Sequence, residues 1–113
     1  MRRPAESQEN APLSPSSFHI LLALADGERH GYAIAKEVED ATGGATVLGP
    51  ATLYRTIKQL LADGWITEVD GDDERRRVYR LTARGRRVAQ AEAHRLETLV
   101  SMARARRLLP ALG

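Results

Sequence analysis

The chain contains no cysteine among its 113 residues, which removes disulfides, thiol redox chemistry and cysteine-ligated zinc together. Aromatic residues make up only 4%, so any core must be built from aliphatic side chains. No apolar run approaches the roughly 20 residues that a membrane span requires. The opening stretch MRRPAESQENAPLSPSS lacks the apolar segment of a secretory signal. A cytoplasmic location without a membrane partner is therefore expected. His19, His30 and His94 fall in separate segments with no paired spacing, so neither a metal site nor a cofactor is expected. A nucleophile paired with a base is missing, as is a phosphate-cradling glycine loop, and an enzyme is not expected.

What is present is an uneven distribution of charge. The net charge is only +2, yet residues 75–113 carry eleven arginines against Glu92 and Glu97, while residues 1–74 carry six basic residues against thirteen acidic ones. The two parts balance at +9 and −7. A basic second half predicts an anionic partner, with nucleic acid the first candidate. Arginine outnumbers lysine fifteen to two, which suits bidentate phosphate contact and equally fits a bias in genomic base composition.

The chain divides as follows. Residues 1–13 are rich in polar residues and proline and read as a disordered arm. Ser14-Pro15 reads as an N-cap and first helical residue. The helix that follows carries Phe18, Ile20, Leu21, Leu22 and Leu24, apolar nearly all round. Such a helix must be buried on most sides, which in a small chain predicts sharing with a second subunit. A second helix opens near His30-Gly31 and stops at Gly43-Gly44; a third opens at Gly49-Pro50 and stops at Gly64, with Leu53, Ile57 and Leu60 as its inward stripe. Trp65 to Val69 and Arg76 to Leu81 read as antiparallel strands around an acidic turn, Asp70 to Glu74. Trp65 itself is expected in the core. Thr82 caps a last helix that could reach residue 109, about 40 Å at 1.5 Å per residue. Ala89, Ala93, Leu96, Val100 and Ala103 form a seam along it, with Leu99 beside the seam. A long helix with small residues on one seam predicts close packing against a twin.

The expected fold is thus mostly α with a small β-hairpin. A winged helix-turn-helix occupies residues 14–81, a dimerisation helix residues 82–109 and a short tail residues 110–113. In that layout the third helix enters the DNA major groove and the hairpin touches backbone. Tyr54, Arg55 and Lys58 lie on the arc of the third helix away from Leu53, Ile57 and Leu60, placed for phosphates or base edges. Thr52 either bonds a phosphate or satisfies the first turn of its helix. Arg75, Arg76 and Arg77 flank the wing turn, and strand alternation sends them to different faces. They contact DNA or pair with the acids of the same hairpin. His30 and Tyr32, at a helix N-terminus, suit an anion or a simple capping role. Arg84, Arg86 and Arg87 crowd the first turn of the last helix, where positive charge opposes the dipole. An outside phosphate or solvent must face them.

Four strings, His30-Gly31-Tyr32, Gly49 to Tyr54 (GPATLY), Leu60 to Ile66 (LLADGWI) and Tyr79 to Thr82 followed by Gly85, occur in the order and spacing of the PadR family of bacterial transcriptional regulators. The chain resembles the short branch of that family over about residues 15–109. The resemblance implies a homodimer joined through the first and last helices, with Phe18, Leu21, Leu22, Ala89, Ala93, Leu96, Leu99, Val100 and Ala103 at the interface. It also implies a double-stranded operator of two-fold symmetry, repression, and in some relatives release by a small hydrophobic effector between the subunits. It places Tyr54 at the DNA backbone. Where the family often has proline after that tyrosine, this chain has Arg55, an added positive charge. The chain has no aromatic residue after Tyr79, so it lacks the ring that drug-binding relatives supply from the last helix. Two other readings stay open: a winged-helix protein-interaction module, favoured by the acidic balance of residues 1–74, and a small-molecule carrier that does not read DNA.

Overall fold

The computed structural model describes residues 12–69 and 77–112. Its elements are α1 (Pro15–Ala23), β1 (Arg29–His30), α2 (Gly31–Ala41), α3 (Pro50–Ala62), β2 (Ile66–Val69), β3 (Val78–Leu81) and α4 (Ala83–Ala105). The wing is a three-stranded antiparallel sheet in the order β1-β3-β2. Ile66 faces Leu81 and Glu68 faces Tyr79 across β2 and β3, while His30 faces Val78 across β1 and β3. The expected hairpin is therefore present, with an additional strand. A two-residue strand has no alternation to read, and its pairing with β3 is set by tertiary structure.

The helix ends follow from local chemistry. Ser14 caps α1, its Oγ accepting the Ser17 N–H at 3.1 Å, with Pro15 in the first turn. At the end of α3 the Trp65 N–H donates to Leu60 O and the Gly64 N–H to Leu61 O, with Gly64 at φ +77°. That left-handed closure favours glycine. It turns the chain directly into the wing. The last helix stops at Ala105 and not near residue 109. Arg107 adopts φ +62°, Leu108 N–H returns to Ala103 O, and Arg104 Nε holds the Pro110 carbonyl at 2.9 Å. The helix is therefore about 35 Å long.

The core joins Ile20, Leu21 and Leu24 of α1 and the turn after it to Ile34 and Val38 of α2, Leu53, Ile57 and Leu60 of α3, and Val88 of α4. Trp65, Ile66, Tyr79 and Leu81 close it from the wing. Full burial of each aliphatic side chain contributes about 1.5–3 kcal/mol. This corrects one expectation. Leu21 is fully buried within the chain's own core, so it has no surface to offer a second subunit. The apolar circumference of α1 is consumed by α2, α3 and α4; only Leu22, 48% exposed, and the half-buried Phe18 remain at the surface.

Arginine side chains hold the joint between α1, α2 and α4. Arg29 Nε donates to the Ala23 carbonyl at 2.7 Å and its guanidinium lies near Asp26 and Glu37. Arg86 donates to the Ala25 carbonyl at 2.8 Å. The Ala23 carbonyl ends α1 and that of Ala25 lies just beyond it, where backbone acceptors lack helical donors. The first-turn arginines of α4 thus do not all await an outside anion: Arg86 is used to fasten α4 onto α1, and Arg87 faces solvent.

Candidate nucleic-acid interface

The third helix divides cleanly. Leu53, Ile57 and Leu60 are buried, while Ala51, Tyr54, Arg55, Lys58 and Gln59 are exposed on the opposite arc. Arg55 and Lys58 have no ion pair among the described residues. The nearest acid on the helix, Asp63 at its C-cap, accepts from Gln59 Nε2 at 3.2 Å and lies a full turn beyond Lys58. The described part of the acidic balance of residues 1–74 therefore does not fall on this arc. Within the described part it sits on the later turns of α2, at Glu37, Glu39 and Asp40, and around Asp26 and Glu28.

Tyr54 reaches across to α2. A Cβ built on Gly31 would lie 3.1 Å from both Cε1 and the hydroxyl of Tyr54. Glycine at the start of α2 is thus what lets the tyrosine ring settle over that helix's N-terminus. The N-terminus is otherwise bare: His30 occupies the N-cap without a side-chain bond, and the first turn contains no acidic residue. The first turn of α3 likewise has no acidic residue, and Gly49 at its cap has no side chain to supply. Exposed helix N-termini carry about half a positive charge and unsatisfied N–H groups that suit phosphate oxygens. His30 and Tyr32 are both exposed at this end of α2, and β1 ties it to the middle strand of the wing. Three separated stretches of sequence are gathered at one place. Thr52 is half-buried, and its carbonyl accepts the Thr56 hydroxyl at 2.7 Å.

The basic residues of the wing are placed unequally. Arg77 is exposed, but its Nε lies 3.6 Å from Glu68 Oε1 on the neighbouring strand, so it forms a surface pair with an acid outside the turn. Such pairs are worth about 0.2–1 kcal/mol and break readily for a stronger anion. Arg75 and Arg76, with the acidic turn, lie outside the described residues. Arg80 was not among the expected contacts. It stands exposed on the outward face of β3, opposite Thr67, with no ion pair among the described residues. The alternation of buried Tyr79 and Leu81 with exposed Arg80 was the signal that could have found it. Burial, reinforced by Glu68, raises the Tyr79 phenol above its usual value, which keeps this core hydroxyl protonated.

The expected interface residues are scattered more unevenly. Ala89 packs against the core, Leu96 and Ala103 are half-buried, and Ala93, Leu99 and Val100 are exposed. Trp65 is buried in the core. Among the described residues, no helix is long and apolar enough to cross a membrane, and no group of three His, Asp or Glu side chains is placed to hold a metal.

The chain is similar in sequence and fold to known proteins. The chain is 38% identical over 80 residues to an uncharacterised transposon protein of Streptomyces fradiae, spanning 71% of this chain and 22% of that protein's length. It is 40% identical over 86 residues to a transcriptional regulator of Mycobacterium tuberculosis, spanning 73% of this chain and 76% of the relative. Among solved structures, a transcriptional regulator from Clostridium thermocellum superposes with a TM-score of 0.72 at 27% identity, over 80% of this chain and 87% of that one. A PadR family regulator from Clostridium difficile has the same fold, with a TM-score of 0.70 at 19% identity over 81% and 97% of the two chains. Residues 20–91 match the PadR-like family of transcriptional regulators, whose members are regulators and not enzymes. With that match covering most of the folded chain, from the core of α1 to the middle of α4, the protein belongs to the PadR-like family.

Proposed function

We propose that this protein is a sequence-specific DNA-binding regulator, a homodimeric repressor that places one α3 in each of two major-groove half-sites of a two-fold symmetric operator. The observation that carries this reading is the outward arc of α3, where Arg55 and Lys58 project without an ion pair among the described residues. Arg55, nearer the helix start, is assigned to a guanine edge, and Lys58 to a phosphate. Tyr54, seated over the N-terminus of α2, donates to the backbone beside His30 and Tyr32, and Thr52 is assigned to a phosphate at the start of α3. Of the wing arginines Arg75, Arg76 and Arg77, those that strand alternation turns toward the duplex meet the adjacent phosphates. The fold similarity to another transcriptional regulator supports the regulatory role. A small hydrophobic effector at the subunit interface would relieve repression by changing the angle between the heads and so the spacing of the two α3 helices.

The test is a salt titration on an operator found by footprinting the protein's own promoter region. Binding should weaken steeply with salt, log K falling by about 0.9 for each phosphate neutralised. Lys58→Ala should flatten that slope by about one contact and weaken all sequences alike. Arg55→Ala should cost about 1–3 kcal/mol on the operator and relax preference at one position. A shallow salt response on every duplex, or an unchanged footprint when Arg55→Ala and Lys58→Ala are combined, would refute the assignment.

A further inference from the structure

Aromatic side chains are few in this protein, yet two of its three tyrosines stand in the open. Tyr32 is 76% exposed and Tyr54 51%, and Val47 in the link between α2 and α3 is 64% exposed. All three border one groove of about 290 Å³ whose apolar floor includes Ala35, Leu48 and Leu53. Its size is at the lower end of small-molecule sites, which begin near about 300 Å³ and combine an apolar lining with a few polar groups. Tyr32, Ala35 and Glu39 share a face of α2 at steps of three and four.

The polar groups at the rim are Lys36 and Glu39. They are not equivalent. Lys36 Nζ lies 3.7 Å from Asp40 Oδ2, one turn further along α2, whereas Glu39 has no ion pair among the described residues. Counting Asp40 with its partner Lys36, the net charge at the rim is negative. The faces of tyrosine rings are also negative and attract cations. Carboxylate, bordering tyrosine rings and apolar floor together favour one kind of occupant and oppose an aromatic anion. We propose that the groove between α2 and α3 binds a small organic cation with an apolar body, of the quaternary ammonium kind. Because Tyr54 borders both this groove and the proposed backbone contact, the bound cation competes directly with the duplex. The competition, though not the binding, rests on the DNA-contact reading above.

The experiment titrates benzyltrimethylammonium into the full chain, free of DNA, and follows backbone amides by NMR, with benzoate as the anionic control at matched ionic strength. Saturable shifts at Tyr32, Glu39, Val47 and Tyr54 with the cation, and none with benzoate, are expected. Ala35→Leu fills the groove and should abolish the shifts while melting at the temperature of the parent chain. Glu39→Gln should weaken binding about three- to fivefold, the weight of one exposed charge contact. Absence of saturable shifts, equal response to benzoate, or undiminished binding in Ala35→Leu would overturn the site. In the second arm the saturating cation should weaken duplex binding by the parent chain and not by Ala35→Leu. Cation binding that leaves duplex affinity unchanged overturns the competition alone. A chain that takes the cation but binds no duplex upholds the site and instead refutes the DNA reading.

Discussion

Gly85 is the described glycine least able to change. It lies in the first turn of α4, where Thr82 Oγ1 accepts its N–H at 2.9 Å and donates to the Gly64 carbonyl at 2.8 Å. A Cβ there would fall 1.8 Å from the Trp65 carbonyl oxygen, which is backbone and cannot swing aside. Gly85→Ala should therefore lever α4 away from the wing base and destabilise the fold by at least about 2–3 kcal/mol, the scale of overpacking a tight core. Urea unfolding would show this as a lower midpoint at unchanged slope. Glu92 is a different case, a charge 5% exposed on the inner side of α4. Arg95 donates to it through Nε at 2.9 Å and Nη2 at 2.6 Å, and the Leu13 N–H approaches at 3.4 Å. The Arg95 hydrogen bonds hold the carboxyl below its usual 4.5 against the opposing effect of burial, with smaller help from Leu13. A depressed carboxylate contributes stability that is present above its unfolded value and lost as pH falls through the folded one. Glu92→Gln should thus cost about 1–3 kcal/mol near neutrality, and thermal melts of the two proteins should converge as pH drops well below 4.5. Gly85 was legible in the sequence as part of the strand-to-helix junction. Glu92 was not: a lone acid among arginines reads as surface, and only the approach of Leu13, 79 positions away, encloses it.

At the scale of elements, the residues that stop and start helices were the most legible, because capping is local. Ser14, Gly49-Pro50, Gly64 and Thr82 each act where their side chain or backbone freedom demands. The inward stripe of α3 was equally plain, since a period of 3.6 needs no tertiary information. What escaped was of tertiary origin: β1, the use of Arg86 as a backbone cap, and the pairing of Arg77 with Glu68. Each depends on chain segments meeting that sequence spacing does not relate. The gathering of Tyr54 and Gly31 belongs here as well. Gly31→Ala should keep both helices, because alanine suits a helix better than glycine by about 1 kcal/mol. Its Cβ, 3.1 Å from the ring, must nevertheless shift Tyr54 by a few tenths of an ångström from its seat over the α2 N-terminus. The expected result is duplex binding weakened about tenfold, the equivalent of one charge-assisted hydrogen bond, with a melting temperature unchanged or slightly raised. Equal loss of binding and stability would mean that the glycine serves packing and not the placement of the hydroxyl.

For the whole molecule the decisive fact is where the core stops along α4. Its buried positions are Gly85, Val88 and Glu92, so the helix from Ala93 to Ala105 extends past the last of them. An isolated helix of that length is marginal in water even with good helix formers. This one presents Leu99, Val100 and Met102 to solvent, 42–46% exposed, and Leu22 of α1 is exposed as well. Exposed apolar side chains on an otherwise unsupported helix are what a second copy would cover, and the two-fold operator proposed above requires such a copy. Leu99 and Val100 are preferable to Leu96 as probes, because Leu96 is half-buried within its own subunit. Leu99→Glu with Val100→Glu should leave the core cluster untouched and the wing folded. Placed face to face in a symmetric interface, the four added carboxylates would also repel one another. Sedimentation should then report the mass of a single chain. Operator affinity should fall much further than non-specific affinity, because only the specific complex needs both heads in register. If the variant sediments as a dimer, the subunits meet elsewhere, and α4 beyond Glu92 must have some other support.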